Sequence, residues 1–140
     1  MSVLSVCDNS ESRLHNVFFY GLYMDPEILR SKSVEPRNPR KAMAKGYSLR
    51  IGSKATLLRD GTSQVYGMLY SLTHADIDCL YRESGLDEYV TEALNVEADE
   101  KSVAALCCNL LVPPAKDETN PEYETRLRQV MAFLELPVTF

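Results

Sequence analysis

The sequence predicts an α+β domain built on a mixed, partly closed sheet. Strand-like runs dominate its middle, with only short helical patterns between them. The order is β, short α, several β, short α, β, β, long α, which lacks the regular alternation of a parallel βαβ fold. The 140 residues, 45% of them hydrophobic, suffice for one packed core without metal or disulfide staples.

Residues 1–16 carry no basic stretch followed by an apolar one, so they read as a short tail rather than a secretory signal. Residues 17–140 then form a single domain. VFFYG, residues 17–21, reads as a strand buried on both faces. DPEILRSK, residues 25–32, reads as a short helix with Asp25 at the N-cap and Pro26 at the first helical position. The proline-rich, cationic stretch 34–41 reads as a solvated loop and AMAKGYSLRIG, residues 42–52, as a strand. ATLLRDGTSQVYGMLYSL, residues 55–72, reads as a hairpin turning at Asp60-Gly61, a strong local turn signal. Thr73 and Asp76 resemble a capping box before a short helix over 74–82, with Ile77, Leu80 and Tyr81 at helical spacing. EYVTEALNVEA and SVAALCCNLLV, residues 88–98 and 102–112, are strands, the second stopped by Pro113 and Pro114. Pro121 opens a final helix whose apolar face holds Tyr123, Leu127, Val130, Met131 and Leu134.

The net charge of −5 argues against nucleic acid or an anionic membrane surface as partner. No apolar run approaches the roughly 20 residues that span a bilayer. Cys7, Cys79, Cys107 and Cys108 make no C-x-x-C pair, and with only two histidines they argue against a zinc site. They read as free, mostly buried thiols of a reducing, cytoplasmic compartment. Cys107 and Cys108, neighbours in one strand, point to opposite faces.

Two stretches carry chemistry. Tyr20-Gly21-Leu22-Tyr23-Met24 joins a strand to a helix. Such a turn leaves N–H groups that bind an anion, and glycine lets a ligand approach the backbone. From the residues alone it is either that or an ordinary connection. LYRESGLDEYVTEA, residues 80–93, holds Glu83, Asp87, Glu88 and Glu92. A solvated charged loop accounts for any one of these acids. Glu83 stands apart, because it follows the apolar helix stripe and precedes Gly85. At the open end of the sheet, desolvation would raise its pKa and make it a general base. No G-x-S-x-G or phosphate-binding G-x-x-x-x-G-K occurs.

The order of these pieces resembles the γ-glutamylcyclotransferase-like (AIG2-like) family: YG at 20–21, QVYGMLYSLT at 64–73 with Gly67 and Thr73, a helix, then Glu83 and Tyr89. The resemblance covers residues 17–112. It implies a small mixed β-barrel-like sheet with flanking helices. It also implies a transferase or lyase chemistry that cyclises a γ-glutamyl amine or peptide to 5-oxoproline and releases the amine, with no metal or nucleotide cofactor. Glu83 matches the family's base, with Glu88 or Glu92 as alternatives. Tyr20 and Gly21 match its turn, with amides of Gly21, Leu22 and Tyr23 holding the substrate's α-carboxylate. Tyr89 matches a tyrosine that donates a hydrogen bond into the pocket. Leu22 and Tyr23 depart from the family's small polar residue and its follower, and Ser84 replaces a glycine. Those departures leave two other readings: a related amide-cleaving enzyme that removes a γ-glutamyl protecting group in a biosynthetic pathway, or a non-catalytic ligand-binding module.

Overall fold

The structure, a computed structural model, describes residues 13–82, 86 and 88–140. Its five strands are β1 (His15–Phe19), β2 (Arg37–Ile51), β3 (Ala55–Leu72), β4 (Tyr89–Ala98) and β5 (Lys101–Leu110). They close into a barrel in the order β1-β3-β2-β4-β5. The helices are α1 (Pro26–Ser31), α2 (His74–Tyr81) and α3 (Pro121–Phe133), with a single 3₁₀ turn at Leu22–Met24. The sheet is mixed, as expected: β1 runs antiparallel to β3 and parallel to β5.

Local chemistry sets the helix starts. The Asp25 side chain accepts from Glu27 N–H at 3.0 Å and Pro26 follows at the first helical position. Thr73 and Asp76 complete a reciprocal capping box, each side chain bonding the other's backbone at 3.1 Å. Asn120 accepts from Tyr123 N–H to open α3.

Two expectations fail. Asp60-Gly61 is no hairpin turn: β3 runs unbroken through it, and the chain reverses at 52–54, where Ile51 pairs with Ala55. The ladder pairs Lys45 with Gln64 and Tyr47 with Arg59, so residues 60–63 bulge opposite Gly46 alone. Asp60 stabilises the bulge by accepting from Thr62 N–H, Thr62 Oγ1 and Ser63 Oγ. Those contacts hold its carboxyl below the usual range. The stretch 34–41 is likewise not all loop, since β2 begins at Arg37. Pro39, which has no N–H to donate, falls in the register shift between Arg37 and Arg40. Arg37 pairs with Asp76 at 3.1 Å, and Arg40 donates to Asn16 Oδ1 at 2.9 Å.

Period-2 alternation divides β1 between two cores. Phe18 and Tyr20 point into the barrel with Ala42, Ala44, Leu57, Val65 and Leu69. A five-stranded barrel is narrow, which suits the alanines in this set. Val17 and Phe19 point outward against Met24, Leu29, Leu80, Leu127 and Met131 of the flanking helices. Cys107 and Cys108 are both buried although they face opposite ways, whereas Cys79 is exposed. No helix among the described residues is long and apolar enough to cross a membrane.

Candidate active site

A cavity of about 230 Å³ opens at one end of the barrel. Its walls come from the end of β1 and the turn after it, the β2–β3 turn, the end of α2, the start of β4, and α3. Tyr20, Gly21, Leu22, Tyr23 and Tyr89 all line it. Glu83 lies outside the described residues, but Tyr81 and Leu86, which flank it in sequence, both border the cavity.

The chain after Phe19 does more than change direction. Gly21 caps the 3₁₀ turn, and Met24 N–H closes it on Gly21 O at 3.0 Å. Gly21 has an ordinary extended φ of −110°, so what glycine offers here is space rather than conformation. A Cβ there would lie 2.6 Å from the Tyr123 hydroxyl. That hydroxyl accepts from Leu22 N–H at 3.4 Å, which leaves its own proton to donate. Tyr23 fastens the turn to α2: its hydroxyl donates to Leu80 O at 3.0 Å. Its ring stands edge-on to Phe19 and Tyr81, with centroids 6.1 and 5.7 Å away. Leu22 packs against the outer core. The two departures from the family turn therefore have structural work.

Two phenols converge on one carbonyl. Tyr89 donates to Ala55 O at 2.6 Å, and Tyr20 donates to Cys108 O at 2.7 Å while lying 3.4 Å from Ala55 O. Tyr89, expected to donate its hydroxyl proton into the pocket, donates it to the backbone in this structure. Its proton is committed to the backbone, so it offers a ligand its ring and oxygen lone pairs. Burial, first among the causes, pushes the phenols of Tyr20, Tyr81, Tyr89 and Tyr123 upward. All four stay neutral hydrogen-bonding groups near pH 7.

The same burial makes alkaline stability a test of the packing. Tyr70, whose hydroxyl donates to Met24 O at 2.7 Å, is pushed up to about 12 by burial and then by the nearby Asp25. A folded pKa above the unfolded value of 10.0 means that the unfolded chain releases the proton first. The contribution is complete below pH 10 and disappears as the pH rises through the folded value. We expect the unfolding free energy to fall above pH 10 by about 1.4 kcal/mol per pH unit for each such tyrosine. Urea titrations at stepped pH check this, and a flat urea midpoint from pH 9 to 12 would contradict it.

The other two carboxylates weighed as base both have partners. Glu88 pairs with Lys54 at the rim, with its side chain 64% exposed. Glu92 accepts from Asn109 Nδ2 at 2.9 Å and borders a separate cavity between the β2–β3 ladder and β4. Sequence reasoning missed Ser53, Lys54, Ala55, Tyr81 and Tyr123 as cavity residues. The first three were hidden by the misplaced hairpin turn. Tyr123 looked like one more member of an apolar helix face.

The family model described as gamma-glutamyl cyclotransferase, AIG2-like, matches residues 17–127. Among solved structures, YkqA from Bacillus subtilis is similar at 22% identity and a TM-score of 0.74 over 93% of this chain. This chain spans about half of that protein, 52% of its length. A protein from Arabidopsis thaliana solved in solution is similar at 22% identity and a TM-score of 0.65, covering 92% of this chain and 91% of that one. A structure named gamma-glutamyl cyclotransferase is similar at 16% identity and a TM-score of 0.72, covering 90% and 83% of the two chains. No curated protein matches the chain. At these identities the structures share the fold, and the family model carries the assignment. With the profile spanning most of the sequence and the barrel matching in kind, the chain belongs to the gamma-glutamyl cyclotransferase, AIG2-like family.

Proposed function

We propose that the protein cyclises a small γ-glutamyl amine or peptide to 5-oxoproline and releases the amine. The observation that carries this reading is the convergence of the YG turn, Tyr89 and both flanks of Glu83 on one cavity. The substrate's α-carboxylate sits at the 3₁₀ turn, beside the backbone amides of Gly21, Leu22 and Tyr23 and the Tyr123 hydroxyl. Leu22 N–H is already bonded to Tyr123, so the carboxylate shares or replaces that partner. Glu83 takes a proton from the α-ammonium. The freed amine attacks the γ-carbonyl carbon, closing a five-membered ring. The C–N bond to the leaving group breaks as Glu83 returns the proton to that nitrogen, and the ring nitrogen gives up its second proton through Glu83 to the released amine. Holding amine and carbonyl in one pocket makes the attack intramolecular in a fixed geometry, which supplies much of the acceleration. The aromatic walls exclude the water that would compete with the amine.

Product analysis tests the reading. Incubation with γ-glutamyl dipeptides and γ-glutamyl amines is expected to yield 5-oxoproline and the free amine in equal amounts. Free glutamate in place of 5-oxoproline would make the protein an amide hydrolase. Thermal stabilisation by these compounds without turnover would make it a binding module.

A further inference from the structure

Lys54 is the one charged side chain among the described residues lining the cavity. Its backbone is fixed from several directions. Gly52 N–H bonds Lys54 O at 3.1 Å, and Asn120 Nδ2 donates to Gly52 O at 3.0 Å. The Glu118 carboxylate accepts from Ser53 N–H, and Arg50 donates to Pro114 O at 3.2 Å. A Cβ on Gly52 would lie 2.5 Å from Pro114 Cβ, so the segment before α3 is packed against the turn. The ammonium is thus presented from a rigid base.

It is presented at the open end. The Lys54 side chain is 28% exposed, and its partner Glu88 is far more so. Phe18, Phe19 and Tyr20, which also line the cavity, are all buried. With the α-carboxylate of a γ-glutamyl head held at the 3₁₀ turn, Lys54 is the cation among the described lining residues left for a second carboxylate on the leaving group. An exposed ion pair such as Lys54–Glu88 is worth little, so a ligand carboxylate displaces Glu88 at small cost. We propose that Lys54 is a specificity-determining residue that selects leaving groups bearing a carboxylate. The substrate class is then γ-glutamyl amino acids and peptides whose carboxylate lies near the scissile nitrogen, rather than plain γ-glutamyl amines. This rests on the γ-glutamyl reading above.

γ-Glutamyl-alanine and γ-glutamyl-ethylamine differ only in that carboxylate. Wild type is expected to favour the first by about 5–10-fold in kcat/KM, the strength of a partly exposed charge-assisted contact. The ratio should fall to near one in Lys54→Met and persist in Lys54→Arg. Glu88→Gln, which removes the competitor, should raise it. A ratio unaltered by Lys54→Met overturns the proposal. So does an equal loss on both substrates, because Lys54 would then serve the shared γ-glutamyl head. If no 5-oxoproline forms, the same two compounds are titrated calorimetrically. A Kd ratio that depends on Lys54 would uphold the selectivity while the cyclisation falls, and no binding would overturn both.

Discussion

Glu83→Gln is expected to lower 5-oxoproline release by about 10²–10⁴-fold, the usual contribution of a positioned general base. Glutamine keeps the shape and one hydrogen-bonding oxygen but cannot accept a proton from the ammonium. An α-ammonium has no lone pair with which to attack, so the whole sequence of steps waits on that transfer. The loss should fall mainly on kcat, since the turn and the aromatic walls still bind the substrate. Circular dichroism of the variant separates lost chemistry from lost fold. Glu88→Gln and Glu92→Gln are the comparison, because their carboxylates are bonded to Lys54 and Asn109. Full activity in folded Glu83→Gln, with loss in one of those two, would move the base there.

Gly67→Ala is expected to destabilise the fold by about 3 kcal/mol, at the upper end of overpacking substitutions. At this chain length that lowers Tm by roughly 10 °C. A Cβ at residue 67 would lie 2.1 Å from the Phe19 carbonyl oxygen and 3.0 Å from the Phe18 ring. The first of these is backbone of the adjacent strand, paired in register with β3 from His15 to Phe19, and it cannot swing aside. Relief requires β1 to move, and β1 leads directly into Tyr20 and the 3₁₀ turn. Activity should therefore fall further than the loss of stability explains. A differential scanning trace that matches wild type would contradict the packing at this crossing.

Much of the fold was legible because its signals are local. The caps at Asp25 and Thr73 act within a few residues, and the apolar stripe of α3 delivers Leu127 and Met131 to the outer core. Asp60-Gly61 shows where locality misleads. A turn-favouring dipeptide serves equally well in a bulge, and which of the two forms depends on the partner strand, where Gly46 adopts φ +87°. Gly67 was legible only by resemblance, since its reason is a neighbouring strand almost fifty residues earlier in the chain. The turn at Tyr20–Tyr23 was recognisable, yet its partner Tyr123 was not, because the contact to Leu22 N–H spans most of the sequence. Glu83 was reached through residue order alone, and the structure adds the positions of its sequence neighbours.

The two seams of the barrel bear on how the protein folds. The β2–β3 and β4–β5 ladders join strands linked by short turns, whereas β2 meets β4 through Met43 and Glu97 and β1 meets β5 through Val17 and Leu106. Hairpins with neighbouring strands close early, and long loops close late, because their closure entropy must be met before the distant contacts form. The cavity spans this late-closing architecture, with the 3₁₀ turn on the β1 side and Tyr89 at the start of β4. A ligand that touches both acts as a clasp across the seam. Its occupancy and the closure of the barrel are then thermodynamically linked, so each stabilises the other.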